Sequence, residues 1–125
     1  MLKLNGYEII LASGSPRRKA FLEKLHIPFK VKVYPSDESY PSSLKGVEIT
    51  EYIVAKKSEP FKEKIRAKQI IITADTLVCC DNQYLGKPKD VEHAKQMLIF
   101  LSGKSHQVIT SVGFLTNKKF DIISE

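Results

Sequence analysis

The chain has 125 residues, 42% hydrophobic and 27% charged, a composition suited to one folded domain with a modest core. Lys and Arg outnumber Asp and Glu by 20 to 14, a net charge of +6, which admits nucleic acid, an anionic surface or a polyanionic small molecule as partner. No apolar run approaches the roughly 20 residues that span a bilayer, and residues 1–6 lack the apolar core of a signal peptide.

Residues 7–12 read as a buried strand, and residues 15–25 as an amphipathic helix with Arg18, Phe21, Leu22 and Leu25 at helical spacing. Ser15 is its N-cap, and Pro16 fits the first helical position because its missing N–H would find no partner there. Residues 29–34 alternate apolar and basic, the pattern of a half-exposed strand. A loop over residues 35–46 carries Asp37 and Glu38. A helix over about residues 48–67, capped by Thr50, should be kinked or divided at Pro60. The β-branched run 69–73 is a buried strand that delivers Ala74-Asp75-Thr76 at its carboxyl end, and residues 77–80 continue extended. Cys79 and Cys80 are adjacent there and point to opposite faces, which suits neither a disulfide framework nor a metal site and fits a reducing cytoplasm. Asp81-Asn82 turns the chain back through Tyr84-Leu85. Asp90 caps the next helix, whose Ala94, Met97, Leu98 and Leu101 form an apolar stripe that Gly103 ends. Residues 107–115 and 120–123 form a closing hairpin. The order β-α-β-α-β-β-α-β-β defines an α/β fold with a twisted mixed sheet. The closing hairpin leaves a long edge strand, and the pattern reads as one that continues.

Chemistry concentrates at Ser13-Gly14-Ser15-Pro16-Arg17-Arg18. Backbone donors of a helix's first turn, the helix dipole and two guanidinium groups converge on one spot, and phosphate is the anion that suits them. Arginine in a first turn opposes the dipole by a few tenths of a kcal/mol to about one. An anion bound beside two of them offsets that cost; the alternative is a capped helix with solvated arginines. Asp75, at the end of a buried strand, can hold a divalent cation or take a proton from water; the alternative is an Asp that simply starts a turn. Glu38 adds negative charge from its loop. Lys57 on the second helix and Lys87 between Gly86 and Pro88 offer cations for a phosphate. Three separated histidines make no zinc site.

Taken together, Ala12-Ser13-Gly14-Ser15-Pro16-Arg17-Arg18, Asp37-Glu38, Lys57, Ala74-Asp75-Thr76, Gly86-Lys87-Pro88 and the stretch from Leu101 through Ser102-Gly103-Lys104-Ser105-His106 to Thr110 resemble the Maf family of nucleoside triphosphate pyrophosphatases, in its order and spacing. The Ser-Pro-Arg-Arg form, without an aromatic after Pro16, is similar to the subgroup acting on dTTP and UTP. The resemblance implies a Maf/ITPase-like mixed twisted sheet flanked by helices, in one domain over residues 1–125 that is the N-terminal two-thirds of the family's domain. It implies hydrolysis to the monophosphate and pyrophosphate with a divalent metal, Mg or Mn. Asp75 would be the proton acceptor, and Glu38 and Asp75 the metal ligands. Ser13, Ser15, Arg17, Arg18, Lys57, Thr76 and Lys87 would bind substrate, with Arg17 and Thr76 tied to substrate choice. A later family segment with a Lys-Ala-Gly-Ala-Tyr-Gly-type motif and a base-recognising glutamine has no counterpart here.

A nucleoside triphosphate is therefore the expected partner, in the cytoplasm, with no membrane association and room for a homodimer. Nucleic acid is disfavoured because aromatic and basic residues are not interleaved as stacking platforms. The competing readings are a nucleotide-binding remnant without turnover and an inactive fragment.

Overall fold

The computed structural model describes residues 6–35, 38–81, 83–86 and 89–125. Strand β1 (Glu8–Leu11) leads into helix α1 (Pro16–Lys24) and strand β2 (Phe29–Val31). Helix α2 (Val47–Ser58) passes through a short 3-10 turn (Glu59–Phe61) to strand β3 (Gln69–Cys80). Strand β4 (Gln83–Leu85), helix α3 (Val91–Leu101) and the hairpin of β5 (Gln107–Leu115) and β6 (Phe120–Ser124) follow. The element order is the one expected from the sequence.

The six strands form one mixed sheet in the order β2-β1-β3-β5-β6, with β4 paired to the far part of β3. β1 is parallel to both β2 and β3, as βαβ crossovers require. β5 runs antiparallel to β3 from Ile71↔Leu115 to Cys79↔Gln107. Apolar side chains alternate along β1, where Ile9 and Leu11 are buried.

Helix α2 is the element that covers the sheet. Its Ile49, Thr50, Ile53, Val54 and Ser58 are buried, one face of a helix. Hydroxyl groups stitch it down. Ser58 Oγ donates to Val54 O at 2.9 Å and lies 3.0 Å from Thr73 Oγ1 on β3. Thr50 Oγ1 lies 2.7 Å from Ser111 Oγ on β5, which lies 2.7 Å from Ser124 Oγ on β6. Ser124 Oγ in turn donates to Glu51 Oε2 at 2.7 Å. Among the described residues no buried side-chain polar atom lacks a partner.

Three expectations are corrected. Thr50 does not cap α2; Gly46, at φ +59°, precedes the helix, and the Thr50 hydroxyl is spent inside on Val47 O and Ser111. Asp75 does not end a strand, because β5 keeps pairing with β3 past it and makes β3 continuous to Cys80. The apolar stripes of α1 and α3 are not buried: neither helix has a buried residue, and Phe21 is 62% and Leu98 70% exposed. Pro60 behaves as expected, ending α2 at Ser58 and standing in the 3-10 turn. Asp90 caps α3 by accepting from His93 N at 2.7 Å, and Gly103 takes φ +71° just beyond the cap Ser102.

The close seat of α2 depends on Gly113 of β5. A Cβ there would stand 2.5 Å from Val54 Cγ1, 2.7 Å from Thr73 Oγ1 and 2.8 Å from Phe120 Cε1. Gly113→Ala is expected to lower the unfolding free energy by about 1–3 kcal/mol, the range for overpacking a core. Gly86→Ala, whose Cβ meets nothing within 4 Å, should stay within about 0.5 kcal/mol. Urea denaturation of both variants checks the contrast; equal stabilities would show that α2 is free to shift.

Candidate functional site

The crevice opens where β1 stops and β3 goes on. The β1–β3 ladder ends at Leu11↔Ile72, with Ala12 N still donating to Ile72 O at 2.8 Å. The chain then leaves the sheet through Ser13-Gly14 into α1. Ser15 caps that helix in extended conformation, its Oγ accepting from Arg18 N at 3.4 Å. Buried Ser13 accepts from Ser15 N at 3.2 Å.

Arg18 turns back across the crevice. Its Nη1 donates to Ser13 Oγ at 3.2 Å and its Nη2 to Thr76 Oγ1 at 3.1 Å. Burial depresses this guanidinium from its usual value before any other cause. Asp75 and Glu38 pull upward, and Arg17 adds to the depression. An arginine remains charged under any such shift. Arg17 stays exposed on the same first turn.

Lys57 comes from the last turn of α2. Its Nζ donates to Ala74 O at 3.2 Å, pairs with Glu38 Oε1 at 2.9 Å and lies 3.8 Å from Asp75 Oδ1. The Lys57 and Asp75 side chains are 18% and 14% exposed. Consecutive strand residues point to opposite faces. Asp75 therefore meets Lys57 on the α2 side of β3, while Thr76 meets Arg18 on the other. Both cations nevertheless line one cavity of about 280 Å³. Ser13, Gly14 and Glu38 share that cavity, and Val33, Tyr34 and Phe61 give it an apolar wall.

Of the expected site residues, the structure thus gathers Ser13, Arg18, Glu38, Lys57, Asp75 and Thr76. Ser15 acts on the helix end itself, and Arg17 lies outside the hydrogen-bonded set described above. Lys87 and Asp37 lie outside the described residues. Two further contributors were given no role in the sequence reading, although Thr110 closes the stretch that matches the family. Thr110 on β5 lies 3.1 Å from Thr76 through their hydroxyls, a contact that only strand register reveals. Tyr34 packs edge-on against Phe61 with ring centroids 4.9 Å apart, joining segments far apart in the chain. The Cys79 thiol is pushed up by burial, away from the thiolate character of a nucleophile, and Cys80 Sγ contacts Ser105 O.

For a divalent cation, no cluster of three or more His, Cys, Asp or Glu occurs among the described residues. Two carboxylates, Glu38 and Asp75, do converge on a single ammonium. That donor set fits an ion of the magnesium type, which takes one or two carboxylates together with substrate phosphates and keeps several waters.

The mixed α/β fold is shared with solved structures. A Staphylococcus aureus Ham1 protein superposes with a TM-score of 0.60 over 94% of this chain and 68% of its own, at 14% identity. A nucleoside-triphosphatase / dITP/XTP pyrophosphatase from Mycobacterium abscessus does so with 0.57 over 94% and 71%, at 15% identity. At such identities the likeness is one of fold. The chain belongs to the Maf family: the family model, described as Maf-like protein, matches residues 8–124. It is 43% identical over 123 residues to a dTTP/UTP pyrophosphatase of Flavobacterium johnsoniae, covering 98% of this chain and 63% of that protein. It is 50% identical over 117 residues to one of Christiangramia forsetii, covering 94% and 59%. The chain thus spans about six-tenths of the length of these relatives.

Lys57 is the counter-charge of two carboxylates in a partly dry site, where an uncompensated charge is costly. Lys57→Met is expected to destabilise the fold by about 1–3 kcal/mol at neutral pH. Adding Glu38→Gln to Lys57→Met should recover part of that loss. Urea midpoints of the single and double variants measure both effects.

Proposed function

We propose that this chain is a nucleoside triphosphate pyrophosphatase, cutting dTTP- and UTP-type substrates between the α- and β-phosphates. The observation that carries the reading is that Lys57 lines the same cavity as Ser13, Gly14 and Arg18 while its ammonium holds the carboxylates of Glu38 and Asp75. Anion-binding groups therefore face one hollow, and the candidate base Asp75 lies against the ammonium that lines it. The names of the relatives from Flavobacterium johnsoniae and Christiangramia forsetii support the reaction and the pyrimidine substrates.

In this reading Arg18 and the amide-bearing turn at Ser13-Gly14-Ser15 hold the triphosphate tail, and Arg17 meets its outer part. Asp75 takes the proton of the water that attacks the α-phosphorus. The bond from that phosphorus to the bridging oxygen breaks, and pyrophosphate leaves with the electron pair. Lys57 offsets the charge that builds on the leaving side, and Lys87 serves the same end. Glu38 and Asp75 would hold a divalent cation, Mg or Mn, which supplies charge neutralisation at the phosphates. Thr76 acts on substrate choice through Arg18. The substrate and the free thiols of Cys79 and Cys80 suit the reducing cytoplasm.

Asp75→Asn tests the reading, since it keeps the shape of the side chain and removes the base. Pyrophosphate release from dTTP and UTP with Mg²⁺ or Mn²⁺ is expected to fall at least about 100-fold, the low end for a general base, with the melting transition retained. Undiminished release in this variant would overturn the assignment. Nucleotide binding by the unaltered protein without any release would instead make the chain a binding protein.

A further inference from the structure

Thr110 faces Thr76 in the β3–β5 ladder, and their hydroxyl oxygens lie 3.1 Å apart. The same Thr76 oxygen accepts from Arg18 Nη2 at 3.1 Å. A guanidinium can only donate, so one lone pair of Thr76 is committed to Arg18. One proton and one lone pair are left on that oxygen, and Thr110 engages one of them. A hydroxyl with no second partner rotates freely about its C–O bond, and in some rotamers its proton faces the guanidinium. Thr110 removes that freedom.

We propose that Thr110 is a positioning residue for the anion clamp. Through the Thr76 hydroxyl it fixes the Arg18 fork across Ser13 and Thr76, leaving the remaining guanidinium donors aimed at the triphosphate tail. Thr110 does not line the cavity itself and acts only through this relay. The inference rests on the nucleotide reading above and adds a residue to it.

Paired threonines also stabilise sheets simply by their shape, and two substitutions separate that role from positioning. Thr110→Val keeps the β-branched shape and deletes the hydroxyl; Thr110→Ser keeps the hydroxyl and deletes the methyl. A shape role makes the serine variant the worse one. A positioning role makes the valine variant the worse one.

Calorimetric titration with inorganic pyrophosphate reads the clamp without requiring turnover. Thr110→Val is expected to weaken pyrophosphate binding about 3- to 10-fold, the worth of one net hydrogen bond, and Thr110→Ser to remain within about twofold of the unaltered protein. With dTTP the valine variant should raise KM by the same factor and leave kcat within about twofold, as loss of uniform binding does. In a Thr76→Val background, Thr110→Val should add nothing further, because the relay is already cut. Binding by Thr110→Val equal to that of the unaltered protein, or a serine variant worse than the valine one, would overturn the inference. Arg18→Ala tells the two levels apart. If it abolishes pyrophosphate binding while Thr110→Val is silent, only the relay fails. If Arg18→Ala binds normally, or the unaltered protein does not bind pyrophosphate, the clamp fails with it.

Discussion

β3 has neighbours on both sides over its first residues, but beyond Ile72 β1 no longer accompanies it. A four-residue strand beside a twelve-residue one leaves an edge, and an edge exposes backbone groups that must find partners. Here side chains from other elements meet the edge. The carbonyl of Ala74, which a longer β1 would cover, accepts from Lys57 Nζ. Thr76, two residues further, receives Arg18. The unfinished ladder is thus what brings an α2 lysine and an α1 arginine to one cavity. Because β5 pairs as far as Cys79, the exposed part of β3 stays straight and Asp75 is held by a ladder, not by a turn.

That rigidity extends to α2. The hydroxyl contacts from Ser58 to Thr73 and from Thr50 to Ser111 anchor the helix at both ends of its buried face. Lys57 directly precedes the anchoring Ser58, so less conformational freedom remains to be lost in holding its ammonium between two carboxylates. The cluster of Arg18, Lys57, Glu38 and Asp75 contains as many positive as negative charges, which limits the penalty of removing them from water. The polyanion of the proposed reading would meet cations already oriented by their own counter-charges, in surroundings where Coulomb forces exceed those in bulk water.

Much of this was legible in the residue pattern. The β-branched run of β3, the Ser15–Pro16 start of α1 and the Asp90 cap of α3 are local signals, and local chemistry decides them. Asp75 misled because Ala-Asp-Thr interrupts the β-branched run, and only pairing with β5 carries the strand through it. Thr50 misled because a threonine near a helix start serves as a cap or as an inward hydroxyl, and Ser111, far away in sequence, decides which. The stripes of α1 and α3 were read correctly as apolar and helical. Periodicity specifies a face but not what covers it. Tyr34 and Phe61 carried no signal of their own, since their pairing joins segments distant in the chain, and the contact of Thr110 with Thr76 depends on strand register.

The two arginines show how local geometry divides their labour. Neighbours on a helix point about 100° apart, so Arg17 and Arg18 cannot both turn into the crevice. The cap at Ser15 sets the rotation of the first turn, and that rotation gives the inward direction to Arg18. Arginine this close to a helix N-terminus opposes the dipole, and for Arg18 the opposition is met by Ser13, Thr76 and the charge of Asp75. Arg17 has no such inner set and remains at the rim. A small anion in the cavity would meet Arg18 alone, whereas a chain of phosphates is long enough to leave the cavity and meet Arg17 as well. In the proposed reading, one half-buried and one outer guanidinium on a single turn would discriminate by ligand length and favour a polyphosphate over a lone phosphate before any base is recognised.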